Sequence, residues 1–540
     1  NLDSKTMLWP EAGGYGFGSL AAIIKLAALL PDSSESKQIM ASEKLIRGLK
    51  NQYELVYPNG LSNGVGDTAN SRLSKEPLEF MLAAARKRGD TRTEKLMASY
   101  LQREADASRY NRSKLSGIRA ITSFADEIPE VDFYPKSSRS FYFPGLNIWI
   151  QRNLAPDNDP KYGLVAALYG TRGGHTQHNG LSIELYGAGY VQGADPGTGP
   201  SYWQPEHREY YDSPVAHNTV IVEGESRAKR SMTVENAEPD SQKEAVSPNI
   251  SFVQSSFEYE NPSATQERTL ALVRFGDESG FYFDVFRSEG GRFHDYLYHN
   301  LGTLADVSAD LFPSSVLAEK KELLKGYTYF KDEKSASVEG DFKATFRLNT
   351  SNKPSMNLWM PSTKSRTVFA VDAPTNKGGG KFSGGGEPMP TLIVRQKSNA
   401  WKHPFVAVYE PFVKGQNKIK NVSQAEPLRA KESFVSTVVE GENFKVYLFQ
   451  DYRPHNVHQV EGIEFQGAFG VVFVRDDEIK ELYLGEGEVL EAGPISIKAQ
   501  NPASVSVRNT PEGGVYSTTS DVRINGDLKS SAINQALNKP

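Results

Sequence analysis

Apolar positions in the first quarter of the chain recur with helical spacing. Residues 18–30 form a dense apolar stretch closed by Pro31-Asp32, and residues 42–55 repeat the helical pattern. Residues 77–87 place Leu78, Met81, Leu82 and Ala85 at i, i+3, i+4 and i+7, and 92–105 continues in that style. Polar, Gly-rich connections such as Pro58-Asn59-Gly60 and Asn63-Gly64-Val65-Gly66-Asp67 separate these segments, as in a helical array or an α/α toroid. From about Ser140 the period changes to 2. Residues 147–152, 163–169, 181–186, 218–222 and 280–286 alternate, or are rich in β-branched and aromatic residues, between Gly, Pro, Asn and Asp turns. Helices followed by sheets predict an α+β multidomain chain. The expected parts are a partial α/α toroid over 1–135, an antiparallel β-sandwich over 136–385 and a small C-terminal β region over 386–540. Residues 377–390, with two Gly-Gly-Gly runs, read as a flexible loop or boundary.

Composition narrows the classes. A chain of 540 residues is too long for one core. No stretch approaches the roughly 18 apolar residues of a membrane span, and the best candidate, 20–30, is short and contains Lys25. The net charge of -5 gives no global basic field for nucleic acid, so a polyanionic ligand would be held by local Lys and Arg. With no cysteine, thiol nucleophiles, disulfides and thiolate metal sites are excluded. Asn1 opens the chain with neither Met nor a leader, so an upstream part is expected to have been removed, consistent with a secreted or periplasmic bacterial protein.

The chemistry concentrates in one stretch. Of nine His, four lie between positions 175 and 217. Arg172-Gly173-Gly174 is a cationic turn delivering His175 at the mouth of a strand. The strand 181–186 leads to the turn Asp195-Pro196-Gly197, and His217 opens another strand. Two imidazoles, a carboxylate and a carboxamide from neighbouring strands suit a metal site or an acid/base site; the alternative is that they satisfy strand ends and turns.

The same stretch resembles the heparinase II/III-like polysaccharide lyases. Their pattern runs H-x-H-x-D-x-L-S-F-E-L-Y, then D-P-G, then H-N-T-V. Here His175, Leu181, Ser182, Glu184, Leu185, Tyr186, Asp195, Pro196, Gly197, His217, Asn218, Thr219 and Val220 fall in register. Gln177 stands where the second His is expected, and Asn179 where the Asp is. The resemblance implies a helical toroid followed by antiparallel layers, with the site in the cleft between them. It implies His175 as catalytic histidine and a structural divalent metal, zinc, held by Asp195, His217 and Gln177, or by His178 in Gln177's stead. An amide oxygen is a poor zinc ligand, so a site held only by hydrogen bonds is the alternative. It also implies a catalytic tyrosine after an acidic-Gly pattern, matched by Tyr15 in Trp9-Pro10-Glu11-Ala12-Gly13-Gly14-Tyr15. The carboxylate-neutralising Asn of relatives lies further upstream than this chain reaches.

The implied reaction is β-elimination of a uronate-containing glycan. A base takes the C5 proton, an acid protonates O4, and the carboxylate is neutralised. Tyr15 and His175 would share the proton transfers and Arg172 would help hold the carboxylate. Tyr202 and Tyr211 after the D-P-G turn would bind sugar, as would His299 in the alternating strand 293–299, where His294, Tyr296 and Tyr298 share one face and Asp295 and His299 the other. The His residues at 455 and 458 read as surface. Few cations surround the site beyond Arg172, Arg208 and Arg227-Ala228-Lys229-Arg230, which favours unsulfated alginate over heparan, chondroitin or hyaluronan. Expected partners are thus an acidic polysaccharide, no nucleic acid and no membrane, with a homodimer left open. A glycoside hydrolase using two of Glu11, Asp67, Glu184 and Asp195, or a carbohydrate-binding protein without chemistry, are the rival classes.

Overall fold

The computed structural model describes residues 2–534 apart from 31, 115–122, 156–158, 225–230, 242, 261–262, 320–322, 376–386, 398, 429–430, 511–512 and 527–532. The Arg227–Arg230 cluster and most of 377–390 therefore lie outside the described residues.

Helices come first, close to where periodicity puts them: α1 Gly13–Leu29, α2 Ser34–Met40, α3 Glu43–Gln52, α4 Glu76–Lys87 and α5 Thr91–Asp106. Two details differ from expectation. α2 is too short to show a period and is set by its cap, the Ser33 side chain accepting from the Ser36 amide at 3.0 Å. The helix expected over 42–55 ends at Gln52 and tightens into a 3-10 turn, Tyr53–Leu55. α1 packs on α2, α3 and α4, and α4 on α5, around Leu20, Ile24, Leu49, Met81 and Leu101.

The rest is sheet. Strands β1 Ser140–Phe143, β2 Ile148–Asn153, β3 Leu164–Tyr169, β4 Ser182–Gly187 and β5 Tyr190–Gly193 form an antiparallel meander. β6 Val220–Val222 edges a six-stranded sheet through His294–His299. These two sheets face an eight-stranded sheet across a core containing Leu168, Ile183, Leu272, Tyr282 and Tyr296. Their outer faces, with Ile150, Tyr169 and Leu297, meet Leu8, Leu55, Tyr57 and Val65 from the helical part. The far face of the eight-stranded sheet packs on the ten-stranded C-terminal sheet through Phe252, Phe283, Val408, Val446 and Phe469. The order of layers is helices, paired sheets, eight strands, ten strands. The sheet change comes after Val413 and not at 385/386, because Met389–Gln396 and Phe405–Val413 pair within the two central sheets and the last sheet begins with Asn421–Gln424.

The central layers are locked by buried charge. Arg268 forks onto Asp284 at 2.7 and 2.8 Å, and Arg395 onto Asp295 at 2.7 Å on both arms. Each guanidinium and carboxylate is paired, as burial requires. His458, expected at the surface, is also buried; it bonds Asp451 at 2.5 Å and stacks on Phe434, while His455 is exposed as expected.

Candidate active site

Tyr15 and His175, 160 positions apart in sequence, are brought face to face by a short backbone clasp. Glu11 and Gly174 form a parallel bridge. The Ala12 amide donates to Gly174 O and the Gly174 amide to Pro10 O, both at 3.0 Å. The first segment turns directly into α1, so Tyr15 stands in its first turn. The second continues to His175, held at φ +57 after Gly173 at φ +89. A positive φ is costly for a residue with a Cβ and persists where surrounding bonds impose it. Here the Asp67 amide donates to His175 O at 2.9 Å. A Cβ at Gly66 would meet that same oxygen at 2.3 Å, so only glycine allows this approach.

The rings stack at 3.8 Å with planes 5° apart. The hydroxyls of Tyr15 and Tyr202 share a hydrogen bond at 2.8 Å, and His175 Nδ1 lies 3.3 Å from Asp67 Oδ2. Tyr15, His175 and Tyr202 are each more than a third exposed, whereas Asp67 is mostly covered behind them. Burial, the Tyr15 hydroxyl and the Asp67 charge push the Tyr202 phenol well above its usual range. Trp203, beside Tyr202, is almost fully exposed. Sequence reading thus brings together Tyr15, His175 and Tyr202, and misses Asp67 as their partner. In the sequence it stood out only as a candidate hydrolase carboxylate in a polar, Gly-rich loop.

Arg172 is not part of this group. It is exposed, its charge acts on Tyr142, and among the described residues no bond joins it to Tyr15, His175 or Tyr202. Tyr211 and His299 are buried, which corrects their assignment to sugar binding. Tyr211 donates to Thr375 O at 2.9 Å, and His299 lies between the Tyr210 hydroxyl at 3.2 Å and Asn218 Oδ1 at 3.2 Å. Strand alternation placed His299 on the right face, but that face is covered by the segment carrying Tyr210.

Burial pushes His299 down to about 3 and His294, beside Ser288, down to about 4. A depressed imidazole pKa means the unfolded chain takes the proton first. Each ring's contribution to stability is present above about 6.5 and is lost as pH falls from there through the folded value. Buried Glu184 and Glu238, raised to about 7, act in the opposite sense between about 4.5 and 7, so the net slope mixes both. The clean measurement is wild type against His294→Gln. The stability difference should shrink by about 3 kcal/mol between pH 7 and 4, and a difference independent of pH would contradict a neutral buried His294.

Behind the rings lies the expected metal set. Asp195 Oδ2 accepts from Tyr169 at 3.1 Å and sits 3.0 Å from His217 Nδ1, while Oδ1 accepts from the Gly197 amide at 2.9 Å. Gln177 Nε2 donates to Asp67 Oδ1 at 3.0 Å and Gly197 O at 3.1 Å. His178 turns instead to Asp212, at 2.6 Å from its carbonyl. His217 Nε2 and Gln177 Oε1 are the remaining buried lone pairs without a hydrogen-bond partner. One imidazole nitrogen, one amide oxygen and a carboxylate already committed on both oxygens do not fit zinc, which takes four strong donors. Among the described residues no three His, Cys, Asp or Glu gather for a metal.

Glu184 ties the layers together. Buried in β4, it accepts from Tyr57 at 2.7 Å, the Gly64 amide at 2.9 Å and Asn70 at 2.8 Å, which spans the loop carrying Asp67. Burial raises it to about 7 and those donors partly offset the shift. Neither Glu184 nor Asp195 is open to a substrate, so neither serves as a hydrolase carboxylate.

The sheet regions are matched by known families. Residues 164–360 match the family described as "Heparinase II/III-like, C-terminal", and residues 419–509 match "Endo-acting ulvan lyase C-terminal domain". The resemblance to the heparinase II/III-like polysaccharide lyases is thereby borne out over residues 164–360. An endo-acting ulvan lyase of Formosa agariphila is 27% identical over 538 residues, covering 90% of this chain and 64% of that enzyme. Heparinase III, seen in a crystal structure, superposes with a TM-score of 0.51 at 12% identity, over 81% of this chain and 59% of that one; the likeness is one of fold. The chain therefore spans under two thirds of the length of either. No described helix is long and apolar enough to cross a membrane.

Proposed function

We propose that this protein is a polysaccharide lyase that cleaves a uronate-containing glycan by β-elimination at the Tyr15–His175 pair. The observation carrying this reading is the exposed stack of the two rings with Asp67 behind one and Tyr202 beside the other. Asp67 accepts Nδ1–H of His175 and so leaves the Nε2 lone pair as base for the C5 proton. The Tyr15 hydroxyl, bonded to a Tyr202 that stays protonated, delivers a proton to O4 as the bond to it breaks. For the opposite C5 epimer Tyr15, starting as the phenolate, takes the C5 proton and passes the same proton to O4, so that it ends as it began. The uronate carboxylate must be neutralised from beyond these rings, and Arg172 is the cation that their own turn offers.

The 27% identical relative makes ulvan the first polymer to test, with alginate second, followed by heparan and chondroitin. Exposed Tyr202 serves as the sugar-facing ring, in place of Tyr211 and His299. The five hairpinned helices are read as part of an α/α toroid, and the enzyme as exported to where its polymer lies. Incubation with each polymer should give ultraviolet-absorbing unsaturated uronate ends from one of them. Chain cleavage without that absorbance would mean hydrolysis, and binding without cleavage would mean a carbohydrate-binding protein.

A further inference from the structure

Gln177 is fully buried yet sits one step from the exposed rings. Its single amide nitrogen serves two acceptors on two segments: the Asp67 carboxylate in the loop after α3, and Gly197 O in the turn after β5. An amide NH2 carries two hydrogens on one atom, set apart like a fork. An imidazole nitrogen carries one and cannot bridge the pair. The bonds continue both ways. Gly197 N holds Asp195, which bonds His217 and Tyr169; Asp67 Oδ2 faces His175, which stacks on Tyr15. Without the amide, the Asp67 carboxylate loses its buried partner on Oδ1 and is left to the exposed side chains of His175 and Tyr202, so its orientation behind the imidazole loosens.

We propose that Gln177 is a positioning residue whose amide fork, and not a metal ion, fixes the Asp67 carboxylate behind His175. The part concerning catalysis rests on the lyase reading above; the bond set and its independence of metal do not. Gln177 acts through Asp67 and touches no substrate atom. A neutral bridge of this kind holds the three segments in register without burying a further charge, whereas the donors at hand are too few for zinc.

The test uses the whole chain with Gln177→Ala and the nearly isosteric Gln177→Glu, which removes the donors and adds a charge beside Asp67. On ulvan, or whichever uronan is cleaved, kcat should fall about 10–100-fold with KM held within about threefold, as for other groups that orient a reacting side chain. Loss of folding alone would lower the folded fraction and leave kcat per folded molecule unchanged. Hydrogen exchange at the Asp67 amide, which donates to His175 O, should quicken in Gln177→Ala whether or not a polymer is cleaved. Elemental analysis of protein grown with zinc should give far less than about one metal per chain, and chelation should leave the thermal midpoint unmoved. Stoichiometric metal with a chelator-sensitive midpoint would overturn the proposal. So would a Gln177→Ala variant with wild-type kcat and exchange.

Discussion

His175→Ala is expected to cut turnover by about 10²–10⁴-fold, the range for loss of a positioned acid or base. The larger figure applies if the Ala variant also frees Asp67 and lets Tyr15 lose its stacking partner. Tyr15→Phe is the sharper of the pair. The Phe ring keeps the 3.8 Å stack on His175, so what goes is the hydroxyl and its bond to Tyr202. A drop of about 10²-fold or more with unchanged KM assigns that hydroxyl to proton transfer. Ultraviolet assay of both variants, on the polymer that the wild type cleaves, decides it. Near wild-type turnover in either would remove that residue from the chemistry.

Glu184→Ala should produce the largest loss of stability among changes near the site. The substitution strands the Tyr57 hydroxyl, the Gly64 amide and the Asn70 amide in the interior. Each buried donor left unpaired costs about 1–3 kcal/mol, so a loss of about 3–9 kcal/mol is expected. Glu184→Gln keeps the shape but turns an NH2 toward donors, and should cost less than Ala while still exceeding a surface change. Urea unfolding measures both. A Glu184→Ala midpoint equal to wild type would show that the three donors find other partners.

Much of the fold was legible because periodicity is a local property. The helices at 77–87 and 92–105 and the strands at 163–169 and 280–286 fall within a residue or two of their observed bounds. α2 was not, since seven residues carry too few turns to show a repeat. At the site, the motif register found His175 and the Trp9-to-Tyr15 segment found Tyr15, but their pairing depends on a clasp between distant backbones. Asp67 was visible only as a possible hydrolase acid, because its role comes from which loop lands on which turn. Tyr211 and His299 failed for the complementary reason. Alternation tells which face a side chain takes, and says nothing about what covers that face. Gln177 was noticed as a departure from a ligand pattern, but the fork it makes between Asp67 and Gly197 is a fact of three dimensions.

The clasp of Glu11 on Gly174 sets the unit of inheritance for this site. Neither the stretch with Tyr15 nor the stretch with His175 carries an active pair alone, and the 62–70 loop supplies the carboxylate that completes it. A chimera that exchanges the helical part with a relative must therefore carry residues 8–15 and 62–70 together with the matching turn at 171–177. By contrast, Trp203 at the tip is almost fully exposed, whereas Tyr202 beside it is tied to Tyr15, Asp67 and His207. Recombination can change Trp203 without touching the Tyr–His–Asp group, which makes it the part of the site that divergence is freest to rewrite.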